Sequence, residues 1–95
     1  MKLSELQKWV RDEFGFYIDQ MTPEHQLAFL LEQAGQLAQG VIHHESGSIE
    51  KEVAEVLLAV TGLANKHGVD MEKAVEEHLT SRSAGDILKK INLFP

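Results

Sequence analysis

Ninety-five residues, 43% of them hydrophobic, suffice for one small domain and are too few for two. Nine Lys and Arg against fifteen Asp and Glu leave a net charge of -6, which speaks against a domain built to neutralise a phosphate backbone, so no nucleic-acid partner is expected. The absence of cysteine removes disulfides, thiolate metal sites and Cys nucleophiles.

No apolar run approaches the ~20 residues needed to cross a bilayer, so no membrane partner is expected either. The first residues, MKLSELQKWVRDEF, contain no apolar core of a signal peptide, and the expected setting is the cytoplasm. A charged fraction of 25% beside ordinary apolar content predicts an ordered chain.

Ser4, with Gln7 in the capping-box position, predicts the start of a first helix that carries Leu6, Trp9, Val10 and Phe14 and stops at Gly15. Phe16 to Met21 then reads as a connection. Thr22-Pro23 supplies an N-cap hydroxyl followed by proline in the first helical position. From there Leu27, Leu30, Leu31, Ala34, Leu37, Ala38 and Val41 recur at helical spacing, with Glu32, Gln33, Gln36 and Gln39 on the other side. This second helix is expected to end near Ile42, with 43–47 as a loop.

Ser48 is expected to cap a third helix that runs to about His67 and ends at Gly68. Its segment VLLAVTGLA is apolar nearly all round, which predicts burial on every side. Asp70 caps a fourth helix through Met71, Ala74, Val75, His78 and Leu79. Ser83 to Ile91 forms a short fifth helix, and 92–95 is a tail. No alternating strand pattern and no repeat interrupts this series.

The fold class expected is therefore all-α: a single domain over 1–95, a small antiparallel bundle of four main helices. So short a chain cannot cover its third helix alone, and assembly as a homodimer or homotetramer is expected to complete the fold.

Glu52 and Glu55 stand one turn apart on that third helix. Glu50 falls in the expected first turn, where the helix dipole accounts for it. Desolvating two unpaired carboxylates costs several kcal/mol each, which a hard cation such as Mg²⁺ relieves. The alternative is that the N-terminal third of the helix is exposed and both carboxylates are solvated. On the preceding helix Glu32, Gln33 and Gln36 cluster, and a short connection makes the two helices antiparallel neighbours.

The pattern reads E-Q-x-x-Q, then fifteen residues, then E-x-x-E. It resembles the MazG-like nucleotide pyrophosphohydrolases, an all-α family with E-E-x-x-E followed by E-x-x-D. LLEQAGQLA at 30–38 is similar to the family's EE-x-GEL segment, and EVAEVLLAVTGLANKHGVDME at 52–72 to its E-x-x-D-V-L helix and LAN-x-x-G-x-D ending. The likeness covers about residues 4–80, leaving 81–95 as a short helix and tail.

It implies Mg²⁺-dependent cleavage of a (d)NTP to (d)NMP and pyrophosphate, with the ligand positions on Gln33, Gln36, Glu52 and Glu55 and a proton-accepting or orienting role on Glu32. It further implies substrate contacts from Asn65 and Lys66, a basic residue such as Arg82 near the phosphates, and an N-terminal aromatic, Trp9 foremost, beside the base. For Trp9 the alternative is a core role. For Lys66 it is the helix C-terminus, and for Arg82 a solvated surface.

Two features depart from the pattern. Both ligand positions on the second helix are Gln, which offers a carbonyl oxygen without charge, and position 55 is Glu where the family has Asp. A Mg²⁺ site so reduced binds only with nucleotide, or it has lapsed. In the second case the chain is a catalytically silent oligomerisation or nucleotide-sensing module. His43-His44 is not expected to bind metal, because neighbouring side chains diverge and no second pair supports them.

Overall fold

All secondary structure among the described residues is helical, in a computed structural model that describes residues 1–44 and 46–91. The helices are α1 (Leu3–Asp19), α2 (Pro23–Ile42), α3 (Ser46–Lys66), α4 (Met71–Val75), which continues into a π-helical turn at Glu76–Thr80, and α5 (Ala84–Lys90). None is long and apolar enough to cross a membrane.

α2 and α3 form the most extensive pairing, an antiparallel hairpin; α1 lies against α3, and α4 meets α1. Gly40 on α2 sits against Ser48 and Ile49 on α3, where an added Cβ would stand 3.5 Å from Ile49 and 3.6 Å from Ser48. That ordinary van der Waals contact marks the register.

Several starts and stops follow the local chemistry. Thr22 accepts from the backbone N–H of His25, with Pro23 in the first turn. Asp70 and Ser83 cap α4 and α5 by accepting from Lys73 and Asp86. Gly68, at φ +67°, ends α3: its N–H reaches the Asn65 carbonyl, and the N–H of Val69 reaches that of Ala64 at 2.8 Å. These paired bonds satisfy carbonyls that the helix end would otherwise leave open.

Other expectations are corrected. α1 does not stop at Gly15 but continues to Asp19, so Phe16 to Asp19 is helix rather than connection. The reason is tertiary. Lys66 donates to the carbonyls of Ile18, Asp19 (2.9 Å) and Met21, while Ile18 packs on Gly62, where any Cβ would come within 2.9 Å of its Cδ1.

Ser4 does not cap α1 either. Lys2 precedes the helix without a side-chain cap, and the free N–H of Ser4 donates to Glu72 at 3.0 Å. That bond holds the Glu72 carboxyl below its ordinary value. Gln7 turns inward instead of back to the cap. α3 begins at Ser46, so 46 and 47 are helical rather than loop, Ser48 is interior, and Glu50 lies beyond the first turn. The expected tail at 92–95, like Glu45 of the expected loop, lies outside the described residues.

The largest correction concerns which sides are covered. On α2 the strip turned inward is Gln26, Gln33 and Gly40, with Leu30 and Leu37 beside it, whereas Leu27, Leu31 and Val41 are more than half exposed. On α3 Val53, Leu57 and Val60 are exposed within the single chain, which does not cover this helix alone. At about 100° per residue the exposed strip of each helix lies roughly a third of a turn round from its inward strip. The helices run antiparallel, so the same rotation carries both strips to one side of the hairpin. α1 occupies the other side, at Gly62, Asn65 and Lys66. The hairpin thus presents one continuous apolar face, unpartnered within the chain.

Candidate functional site

Register places the sequence-nominated acidic and amide positions together. With Gly40 against Ser48 and Ile49, one turn back along α2 and one forward along α3 bring Gln36 level with Glu52 and Val53. A second turn brings Gln33 level with Glu55 and Val56. Gln33 and Glu52 are both only 8% exposed. Glu55 is half-buried and Gln36 exposed, on the side of the hairpin away from the apolar face. Glu32 is exposed, about 100° round from Gln33 on the same flank.

Oxygen atoms here lack partners. Among the described residues three buried side-chain atoms make no hydrogen bond: Oε1 of Gln26, Oε1 of Gln33 and Oε2 of Glu52. All three are oxygens, and all belong to the inward strips of α2 and α3. Buried polar atoms are nearly always paired, so a row of open acceptors along one seam calls for donors or a cation from outside the chain.

The Glu52 carboxyl is pushed above its ordinary value of 4.5. Burial is the main cause, followed by the charge of Glu55 and a hydrogen bond shared with it, with Lys51 acting in opposition. Lys51 itself reaches Glu55 only at 3.8 Å and is largely exposed, too weak a contact to neutralise the pair.

A raised carboxyl is a stability statement. Ionising Glu52 costs more in the folded chain than in the unfolded one, so its contribution is full below pH 4.5 and is lost as pH rises through the elevated value. Glu72 acts with the opposite sign and in a different window, its contribution being lost only as pH falls below 4.5. Thermal melts without metal are therefore expected to show the Tm falling as pH rises above 4.5, and Glu52→Gln is expected to flatten that arm and raise the Tm at pH 7. An unchanged slope in the variant would show that Glu52 is freely solvated.

A hard divalent cation suits this donor set: two carboxylates one turn apart and an unpartnered amide oxygen on the facing helix, all oxygen ligands. No group of three or more His, Asp or Glu among the described residues comes together to hold a metal ion.

The remaining nominated residues make contacts within the chain. Asn65 accepts from Gln7 Nε2 at 3.0 Å and donates to the Gln7 carbonyl at 3.0 Å. Gln7 also donates to the Val69 carbonyl (2.8 Å) and accepts from the Met71 N–H (2.9 Å), tying α1 to the α3–α4 turn. The Lys66 ammonium is bonded to the carbonyls at the end of α1. Arg82 Nε donates to the His78 carbonyl of its own segment. Trp9 is half exposed and meets Phe14 edge-on with ring centroids 5.5 Å apart.

A feature the sequence did not announce lies next to the seam. Between α1 and the hairpin is an apolar cavity of about 200 Å³, walled by Phe14, Tyr17, Gln26, Phe29, Leu58 and Gly62. Tyr17 and Ile18 reach it because α1 continues past Gly15; Trp9 does not line it. The available signal was the recurrence of Gln26, Gln33 and Gly40 every seven residues, two helical turns, within an otherwise apolar helix.

The fold and seam define a class: an all-helical bundle in which two antiparallel helices bury oxygen acceptors between them, beside an apolar cavity. Comparison with protein-family models, curated proteins and solved structures finds no match to this chain.

Proposed function

We propose that the chain is a MazG-like nucleoside triphosphate pyrophosphohydrolase, Mg²⁺-dependent and weakened by glutamine at two ligand positions. The observation that carries this reading is the coincidence of the sequence pattern with the unpartnered oxygens of Gln33 and Glu52 on facing helices. Glu52, Glu55, Gln33 and Gln36 would hold Mg²⁺, which supplies charge screening for the triphosphate and an acidified water. Glu52 and Glu55 carry the site's negative charge. Gln33 and Gln36 orient through their carbonyl oxygens without adding any. Glu32, on the solvent-facing flank, is the carboxylate available to take a proton from water. The test is pyrophosphate release from a panel of nucleoside triphosphates, run beside the Gln33→Glu/Gln36→Glu double variant.

The second reading, a catalytically silent oligomerisation or nucleotide-sensing module, is favoured by the bare apolar face. Leu27, Leu31, Ala34, Ala38 and Val41 alternate at spacings of four and three, the pattern of a helix packed against another helix. Both readings share a homodimeric or homotetrameric assembly of a cytoplasmic protein, in which a second copy covers this face while the flank of Glu32 and Gln36 stays open. Light scattering is then expected to give at least twice the 10.6 kDa chain mass, and Leu31→Lys/Leu57→Lys to give a monomer with a lower Tm. A monomeric parent would remove the assembly.

A further inference from the structure

We propose that the apolar cavity between α1 and the hairpin receives α5 of a second copy of this chain, so that two protomers exchange their C-terminal helices. α5 is seven residues long and holds no buried residue, and among the described residues it takes part in none of the principal helix pairings. A helix that short is marginal in water even when capped, so it needs a surface to rest on. At about 100° per residue Ala84, Ile87, Leu88 and Ile91 fall on one side of it, with Lys89 and Lys90 flanking them. The helix is thus a basic, amphipathic arm whose apolar side lacks a full partner.

The cavity matches that side in chemistry, size and charge. Its walls are almost wholly apolar, and it adjoins solvent at Tyr17, which is 66% exposed. A void of about 150 Å³ holds the six carbons of benzene, so about 200 Å³ suits the eight side-chain carbons of two Ile or Leu residues. From Asp12 to Glu50 the chain holds seven acidic residues and no Lys or Arg, whereas 81–91 holds Arg82, Lys89 and Lys90 against Asp86 alone. Glu13 stands one turn before Tyr17, Glu32 one turn after Phe29, and Glu55 one turn before Leu58. Lys66 is the cation beside the cavity, and its ammonium is held by carbonyls at the end of α1. No described residue of α5 lines the cavity within the chain, which leaves the seat to a second copy. Reciprocal exchange fills two equal seats about a two-fold axis. It requires neither a cation at the seam nor contact between bare hairpin faces.

The test uses the full chain, which has no cysteine, so Ala84→Cys places a single nitroxide at the exposed start of α5. Nitroxide-bearing chains without isotopes are mixed in equal amounts with methyl-labelled chains without nitroxide, and NMR follows the methyl signals of the latter. Paramagnetic broadening is expected to be strongest at Ile18, Met21, Leu58 and Leu63, and weaker at Leu31, Val53 and Leu57. Ile87→Ser/Ile91→Ser, on the apolar side of α5, is expected to abolish it. Lys89→Glu/Lys90→Glu, at exposed positions, is expected to weaken the exchange about ten-fold, read from how broadening depends on chain concentration, and high salt to act in the same direction. Adding Glu13→Lys to that variant is expected to recover part of the loss. Broadening seen only when nitroxide and isotopes share one chain means that α5 docks within its own chain, and overturns the proposal. So does broadening centred on Leu31, Val53 and Leu57, which would put the arm on the bare face. A dimer that shows no broadening overturns the exchange and retains assembly through the hairpin.

Discussion

Gln7→Ala is expected to destabilise the protein by about 2–4 kcal/mol, the largest loss predicted for any single side chain outside the seam. Gln7 is 6% exposed and its amide uses both ends: Nε2 serves Asn65 and the Val69 carbonyl, and Oε1 receives the Met71 N–H. Each neutral bond contributes about 1 kcal/mol net, and truncation adds the cost of leaving part-buried partners open. For a chain of this length the loss corresponds to a fall in Tm of roughly 10–25 °C. Asn65→Ala breaks the same network from the other side, so a double-mutant cycle should show coupling of about 1–2 kcal/mol between the two positions. A loss below about 0.5 kcal/mol for Gln7→Ala, or strict additivity, would mean that water replaces the network.

The same residue shows where sequence reading stopped. Ser4 and Gln7 satisfy the spacing of a capping box, and nothing within the first helix says otherwise. The competing partners, Glu72, Asn65, Val69 and Met71, lie about sixty residues away, where only tertiary structure brings them. Gly15 is similar: a helix stop by local propensity, overruled because Lys66 and Gly62 receive the extra turn of α1. Where both partners were local, as at Thr22-Pro23, Gly68, Asp70 and Ser83, residue chemistry alone placed the boundary.

The pattern of apolar residues was read correctly as helical, but it did not show which face turns inward. Periodicity reports which residues share a face, and it does not report whether that face meets the chain's own core or a second copy. In α2 the intramolecular seam takes Gln26 and Gln33 while Leu27 and Leu31 stay bare, an inversion that costs stability in an isolated chain. The candidate site was accessible from sequence for the same reason. The spacing of Glu52 and Glu55, and of Gln33 and Gln36, fixed faces, and the short connection fixed adjacency. The cavity was not accessible, since it depends on how far α1 runs and on the absence of a side chain at Gly62.

Adding charge at the seam gives the largest expected functional change. A carboxylate in place of each amide returns two formal charges to the donor set, and bonds made by charged groups are worth about 1.5–3 kcal/mol each. Gln33→Glu/Gln36→Glu is therefore expected to tighten Mg²⁺ binding by roughly 10²–10⁴-fold and to raise pyrophosphate release in step. The two positions should behave differently without metal. Gln36 is exposed, so Gln36→Glu is expected to leave the Tm unchanged. Gln33 is buried on the helix facing Glu52 and Glu55, and a third carboxylate there adds repulsion to a carboxyl already pushed up by burial and a like charge. Gln33→Glu should thus lower the Tm at neutral pH in chelator and regain it in Mg²⁺, whereas the parent responds weakly to the ion. This metal-dependent reversal separates a cation seat from a structural seam, because a glutamine kept only for packing would lose stability on charging and recover none. If the double variant neither gains stability from Mg²⁺ nor releases pyrophosphate from any triphosphate, the hydrolase reading fails and the assembly reading stands.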